Sequence, residues 1–349
     1  MTPGTGRSDS FFDAMRKAIE RILFGGALLP QEFTLGLTQP QTDIAVWLHG
    51  ADKSLEVTDR YSIACAGPLT FCIGFDKGQS PGEKCLDRLS LKFWERNSQQ
   101  VLGEIGFKFR DRLSLPESDF MFFAPRTSSN YCLSKTHLAA HYLLFAYKQW
   151  RKDNTKGVHL SFLERRAMMV QFIRPHPVML VSVGNREKGN IFPMNLLGEL
   201  GNGYFGLALR TERVAGGLVE RYGRVALSSM PLSQGAVAYQ LAHNHSKEFF
   251  DWSKLPFPIR TSEVFGIPVP AFALRIKEVE IKTVRVVGSH SFFAGRIVRE
   301  EKLSSGLAFG SIHGFYQSWR LKRCGGEGLE ASLALDAINK QGRCHTLNK

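Results

Sequence analysis

Apolar residues recur along this chain in two rhythms. At Ser10-Phe11-Phe12-Asp13 a capping-box pattern opens a segment in which Phe12, Met15, Ile19, Ile22 and Leu23 share one helical stripe, and Gly25-Gly26 stops it. From Ile44 to about Phe123 the texture changes to short apolar runs: Ile44–Leu48, Tyr61–Ala66, Leu69–Phe75, Leu89–Phe93, Leu102–Phe109 and Phe120–Ala124. Turn residues separate them, and the spacing predicts an antiparallel β unit. Ser134 can cap a helix over Lys135–Arg151 with Ala139, Tyr142, Leu143, Ala146 and Trp150 on one face. Ser161-Phe162-Leu163-Glu164 is a second capping box, whose short helix Pro175 and Pro177 end.

A second β unit follows in the runs Val178–Val183, Tyr204–Leu209, Arg224–Ser229, Ala271–Val284, Ser291–Val298 and Ser311–Gln317. In the longest of these, Phe272, Leu274 and Ile276 alternate in one phase and Val279 and Ile281 in the other. That slip near Lys277-Glu278 predicts a bulge or a corner where the strand bends around a barrel. The charged, Gly-terminated stretch Arg151-Lys152-Asp153-Asn154-Thr155-Lys156-Gly157 is the candidate boundary. The expected organisation is a β-rich domain with helices over residues 1–156, a second domain over 157–322, and a loosely ordered tail over 323–349 with a marginal helix at Leu329–Ile338.

Composition narrows the class. At 349 residues, 43% hydrophobic and 22% charged, the chain is globular and long enough for two cores. No run approaches the roughly 18 apolar residues of a membrane helix, and the opening Met1-Thr2-Pro3-Gly4-Thr5-Gly6 has no apolar signal core, so a cytoplasmic protein is expected. The net charge of +13 suits a phosphorylated ligand. Its cations are scattered in ones and twos with no aromatic ladder, which argues against nucleic acid. Six cysteines without a CxxC pair read as reduced thiols, and Cys65, Cys72 and Cys85 match no metal knuckle, so no metal is expected.

The usual phosphate and hydrolase motifs are absent: no GxxxxGK(S/T), no GxGxxG between strand and helix, no HExxH, no GxSxG. The chemistry concentrates elsewhere. Strand 178–183, a polar hairpin and a returning Gly189-Asn190-Ile191-Phe192-Pro193-Met194-Asn195 can offer amides and backbone N–H groups to a flat polar heterocycle. Leu209-Arg210-Thr211 leaves a strand and opens a helix through Val214–Tyr222, closed by Gly223; a helix start capped by Thr211 with Arg210 beside it is a phosphate site.

The run PVMLVSVGNREKGNIFPMNLLGELGNGYFGLALRTERVAGGLVERYGRVALSSMP, then Ile267-Pro268-Val269-Pro270, the long strand, GSHSFFAGRIV and IHGFYQ, resembles the flavin reductase-like family over about residues 160–320. The resemblance implies a β-dominated α+β fold, a Greek-key split β-barrel that binds FMN or FAD, paired as a homodimer or an intrachain pseudo-dimer. It implies hydride transfer from NADH or NADPH to flavin N5, with an oxygenase as one acceptor of the reduced flavin. Carried over by position, Asn190, Ile191, Pro193, Met194 and Asn195 would line the isoalloxazine edge. Arg210 and Thr211 would hold the phosphate, Ser228 would end the neighbouring strand, and His290 would stand near the open flavin face. His245, in His243-Asn244-His245-Ser246, is the second catalytic candidate, in a loop over the ligand. The rival reading is a flavin-binding or flavin-less assembly module of the same fold, favoured by the bulky Ile191-Phe192-Pro193-Met194; a haem reading would need an axial ligand from His243, His245 or His290. Ser62–Phe75 has a faint likeness to the second and third strands of the same barrel, which puts a degenerate tandem copy among the readings of residues 1–156.

Overall fold

The computed structural model describes residues 32–37, 43–151, 160–313 and 331–332. Strand β1 (Glu32–Leu37) precedes a set of seven: β2 (Ile44–His49), β3 (Leu55–Glu56), β4 (Tyr61–Ala66), β5 (Leu69–Asp76), β6 (Ser90–Glu95), β7 (Gln100–Ser114) and β8 (Ser118–Asn130). Helices α1 (Lys135–Arg151) and α2 (Phe162–Gln171) lead to the short β9 (His176–Pro177). A second set comprises β10 (Met179–Gly184), β11 (Gly189–Met194), β12 (Leu197–Gly201), β13 (Tyr204–Arg210), helix α3 (Val214–Tyr222) and β14 (Arg224–Ser229). After α4 (Gly235–Leu241) and the small hairpin of β15 (Ile259–Thr261) and β16 (Pro268–Pro270), it closes with β17 (Arg275–Val287) and β18 (His290–Lys302). β19 (Ala308–His313) and β20 (Ala331–Ser332) join β1 and β9 in a four-stranded sheet.

The two large sheets share one topology. The first runs β3-β2-β6-β7-β8-β5-β4 and the second β11-β10-β14-β17-β18-β13-β12. Numbered within its own set, each is second-first-fifth-sixth-seventh-fourth-third, and every pairing is antiparallel. Even the irregularities correspond: a register shift falls between Ile63 and Cys65 in β4 and between Glu199 and Gly201 in β12. The fold is β-dominated α+β, and the first sheet repeats the strand order of the second. Ser62–Phe75 lies in the third and fourth strands of that repeat, one place later than its likeness implied.

Each curled sheet closes on its own apolar interior. In the first, Phe71, Phe93, Phe107 and Phe123 are buried together, and α2 seals the open side with Ala167 and Val170. α2 starts as its capping box dictates: the Ser161 hydroxyl accepts from the Glu164 N–H (3.2 Å) and the Glu164 carboxylate accepts from the Ser161 N–H (2.7 Å). In the second, Phe192, Phe205, Leu207 and Phe293 are sealed by Ala215, Leu218 and Val219 of α3, which ends at Gly223 with the left-handed φ of 64°.

Equivalent strands of the two sheets face each other across a third core: Ala64, Cys72, Phe120 and Phe122 against Leu200, Tyr204, Ala208, Phe292 and Ala294. Phe122 meets Phe292 edge-on at 5.6 Å, and Phe120 meets Tyr204 at 5.4 Å. The approach is close enough that a Cβ on Gly74 would fall on the Leu200 carbonyl oxygen.

The expected slip in the long strand is present, as a register shift between Glu278 and Val279. Beside it Glu278 is buried under the 262–265 segment, where its carboxylate accepts from Ser262 Oγ (2.7 Å) and from the backbone N–H groups of Val264 (2.9 Å) and Phe265 (2.6 Å). Three expectations differ from the structure. Leu143, placed on the inner face of α1, is 72% exposed, because α1 packs through Leu138 and Tyr142 against Met169. Thr211 does not cap α3: Arg213 is the N-cap residue and contributes no side-chain bond. Where the tail is described it is the two-residue strand β20 paired to β1, not a helix; the rest of Leu329–Ile338 and the helix at residues 10–23 lie outside the described residues. No helix among the described residues is long and apolar enough to cross a membrane.

Candidate functional site

The turn from β11 into β12, the end of β13, the first residue of β18 and the segment after α4 converge on a cleft of about 240 Å³. Its lining includes Pro193, Met194, Asn195 and Leu196 from the turn, Ala208, Leu209 and Arg210 from β13, Arg213 from the start of α3, Ala242 and His245 from the segment after α4, and His290 from β18. Six of these residues are apolar, two are arginines, and none is acidic.

The register of the sheet explains why these groups meet. Arg210, last in β13, is the cross-strand partner of His290, first in β18. Thr211 then turns the chain: its N–H and hydroxyl both donate to the Ser289 carbonyl, at 3.1 and 3.4 Å. α3 therefore begins three residues later, with its N-cap residue Arg213 on the cleft and no side-chain cap on its N–H groups. Arg213 reaches across to Ser246 Oγ (2.5 Å) and Arg221 to Glu248 (3.0 Å), so α3 also holds the segment carrying His245.

Both histidines are kept neutral. Burial, with the Arg210 charge adding to it, brings His290 down to about 4. Burial lowers His245 too, opposed by its bond to the Pro193 carbonyl and assisted by Arg213. Because a carbonyl only accepts, His245 carries its proton on Nε2, which donates to Pro193 O at 2.8 Å, while its ring packs 4.7 Å from that of Phe192. His290 turns Nδ1 inward, to Ser289 Oγ at 2.9 Å and Cys65 Sγ at 3.4 Å.

Of the residues singled out from sequence, Pro193, Met194, Asn195, Arg210, His245 and His290 come together on the cleft. The other four do not line it. Asn190 is buried, and its amide donates to the carbonyls of Asn244 (2.9 Å) and Lys247 (2.7 Å) and accepts from the Ile191 N–H (2.8 Å). Ile191 belongs to an apolar cluster with Leu180, Met230 and Leu241. Thr211 is spent on the turn to Ser289, and Ser228 is buried in β14 with no hydrogen-bond partner for its hydroxyl. Sequence reasoning missed Leu196, Ala208, Leu209 and Ala242, whose apolar identity carries no motif. Arg213 was visible only as one arginine among many, although its place three residues after Arg210 at a helix start was a usable signal.

No protein-family model matches the sequence, and no curated protein matches it. Solved structures match part of it. An FMN-binding protein from Thermus thermophilus with bound p-hydroxybenzaldehyde is 24% identical over 40% of this chain and 87% of its own, with a TM-score of 0.35. The NADH:FAD oxidoreductase of Streptomyces globisporus is 18% identical over 43% of this chain and 89% of its own, at 0.37. BorF, the flavin reductase component of a bacterial two-component tryptophan halogenase, is 19% identical over 43% of this chain and 94% of its own, at 0.38. Each match covers less than half of this chain.

Proposed function

We propose that the cleft binds a flavin, FMN or alternatively FAD, and that the chain is a flavin-dependent oxidoreductase of the flavin reductase type acting with NADH or NADPH. The observation that carries this reading is the presence of Arg210 and of Arg213, the N-cap residue of a helix start that no side chain caps, in a cleft whose other lining residues are apolar or uncharged. Cations at a helix start suit a phosphate, and a largely apolar lining with neutral imidazoles suits a flat heterocycle. At about 240 Å³ the cleft is slightly smaller than the roughly 300 Å³ at which ligand pockets usually begin. It therefore fits a ring or a phosphate end with the remainder of the nucleotide outside.

The redox chemistry, acceptance of a hydride from a nicotinamide, would be the flavin's own, which is why an acid–base pair is not required of the protein. The side chains would bind and orient. Arg210 and Arg213 neutralise the phosphate, Ala208, Leu209 and Met194 exclude water, and His290 and His245 present uncharged surfaces over the ring. An oxygenase accepting the reduced flavin, and a cytoplasmic setting, belong to the same proposal. So does the role of the first sheet as an intrachain stand-in for the second subunit of a dimer.

The test is a flavin titration followed by anaerobic NADH or NADPH. Binding that weakens by about 10- to 100-fold in Arg210→Ala and Arg213→Ala, the size of a charged hydrogen bond, and bleaching on reductant are expected. Absence of flavin binding, or binding indifferent to both substitutions, would overturn the reading. One observation favours the assembly-module alternative: Asn190 and Ile191, expected along the ring, are committed to the fold. Tight flavin binding without bleaching by either nucleotide would select it.

A further inference from the structure

The β4–β5 hairpin of the first sheet abuts the cleft of the second. Gly67 accepts at its carbonyl from the Ser289 N–H (3.1 Å) and from Ser289 Oγ (2.6 Å), and its own N–H donates to Cys65 Sγ at 3.3 Å. Cys65 Sγ lies 3.7 Å from Ser289 Oγ and 3.4 Å from His290 Nδ1. The fit is tight: a Cβ on Gly288 would come within 2.5 Å of Pro68 Cδ and 3.1 Å of Cys65 Sγ.

Proton accounting in this cluster has one solution. Two oxygens 2.6 Å apart need a hydrogen between them, and of Ser289 Oγ and the Gly67 carbonyl only the hydroxyl has one. With its proton spent there, Ser289 Oγ can only accept from His290 Nδ1 at 2.9 Å; a bare Nδ1 would set lone pair against lone pair. Nδ1 therefore carries the imidazole proton, with Cys65 Sγ as its second acceptor, and the thiol proton is left for the remaining lone pair of Ser289 Oγ.

We propose that the first sheet, through the Gly67 carbonyl that takes the Ser289 hydroxyl proton, fixes His290 as its Nδ1–H tautomer and so gives the cleft a bare Nε2 that selects a ligand N–H or O–H at that point. Ser289 is a positioning residue: it acts through His290 and does not line the cleft. The tautomer stands on the geometry alone; its consequence for hydride transfer rests on the flavin reading.

The experiment is nitrogen NMR of the full-length protein labelled at histidine, with His290→Gln to assign the signal. At neutral pH, Nδ1 is expected at the protonated-nitrogen position and Nε2 at the bare one. Ser289→Ala should move the proton to Nε2, whereas Cys65→Ala and Cys65→Ser, which leave the bond from Ser289 Oγ to the Gly67 carbonyl in place, should hold it on Nδ1. A native protein with its proton on Nε2, a Ser289→Ala variant that keeps the native pattern, or a Cys65→Ala variant that loses it, would overturn the proposal. If the protein also reduces flavin, Ser289→Ala should lower kcat on the order of tenfold with flavin affinity unchanged. Failure to bind flavin would sink the functional reading while leaving the tautomer measurement intact.

Discussion

Asn190 offers the sharpest test of how the cleft is held. Its amide joins β11 to the segment carrying His245: Nδ2 donates to the carbonyls of Asn244 and Lys247, Oδ1 accepts from the Ile191 N–H, and Asn244 answers by donating its own Nδ2 to the Ile191 carbonyl at 2.9 Å. Asn190 and Asn244 are both fully buried, so water cannot replace what is removed. Asn190→Ala deletes the two hydrogen bonds that cross to that segment; at about 1 kcal/mol each the clamp loses about 2 kcal/mol. Asn244 keeps its bond to Ile191, so the loss should be local opening of residues 242–248 and not unfolding of the sheet. Amide hydrogen exchange read by mass spectrometry should speed up in that segment by about thirtyfold, since each 1.4 kcal/mol is about a factor of ten. Asn190→Asp should be worse, because a carboxylate oxygen would face two carbonyls. Unchanged exchange over 242–248, or an equal increase throughout the chain, would refute the idea that this amide pins the wall of the cleft.

Other outcomes follow from the packing between the sheets and from the buried imidazoles. Gly74→Ala places a Cβ on the Leu200 carbonyl, backbone against backbone, and should cost about 3 kcal/mol or more by overpacking. A urea midpoint indistinguishable from the parent would mean that the sheets can separate at no cost. Burial, reinforced by Arg174, brings His176 down to about 3, and burial with Arg210 brings His290 to about 4. Both sit below the unfolded value near 6.5, so the unfolded chain binds the extra protons and stability is full above that pH and falls as pH drops towards 4. At pH 5 each histidine should subtract about 2 kcal/mol relative to pH 7. Unfolding free energies that stay level between those two pH values would contradict the assignment of both as neutral.

Much of the architecture was legible because local signals and tertiary structure agree. β4 and β14 fall on the residues that alternation and turn spacing predict, and the capping box at Ser161 forms both of its bonds. The phase change at Lys277-Glu278 marks an actual shift of register. What could not be read depends on partners distant in sequence. Asn190 has the appearance of a ligand residue in a polar turn, yet it is consumed by Asn244 and Lys247, 54 and 57 positions later. Cys65, a small apolar residue by every local measure, meets His290 across 225 positions. Thr211 has the chemistry of an N-cap, but the Ser289 carbonyl claims its N–H and hydroxyl and delays the helix to Val214. In each case a long-range hydrogen bond displaced the role that local chemistry suggested.

The repeated topology also explains why the chain should have one such site and not two. The register pairs Arg210 with His290 in the second sheet and, at the equivalent strand ends, Asp76 with Ser118 in the first. Cation and imidazole are thus replaced by an acid and a hydroxyl, and Asp76 is occupied by Arg60 at 2.6 Å. Where α3 presents an open helix start, the first sheet has only the 3-10 turn Glu83–Arg88. Where residues 230–274 supply His245 between β14 and β17, four residues join β6 to β7. The hairpins remain reciprocal: Asn202, in the β12–β13 turn, donates to the Glu117 carbonyl and to Ser118 Oγ, both at 3.2 Å, as the β4–β5 hairpin meets Ser289 and His290. At these strand ends the first sheet carries no counterpart of the groups proposed to bind an anion, while its β4–β5 hairpin meets its neighbour's histidine. Calorimetric titration with flavin should give one site per chain, abolished by the double substitution Arg210→Ala/Arg213→Ala. A second site of similar affinity surviving that substitution would show that the first sheet still binds, and that its exchanged charges do not mean what their chemistry says.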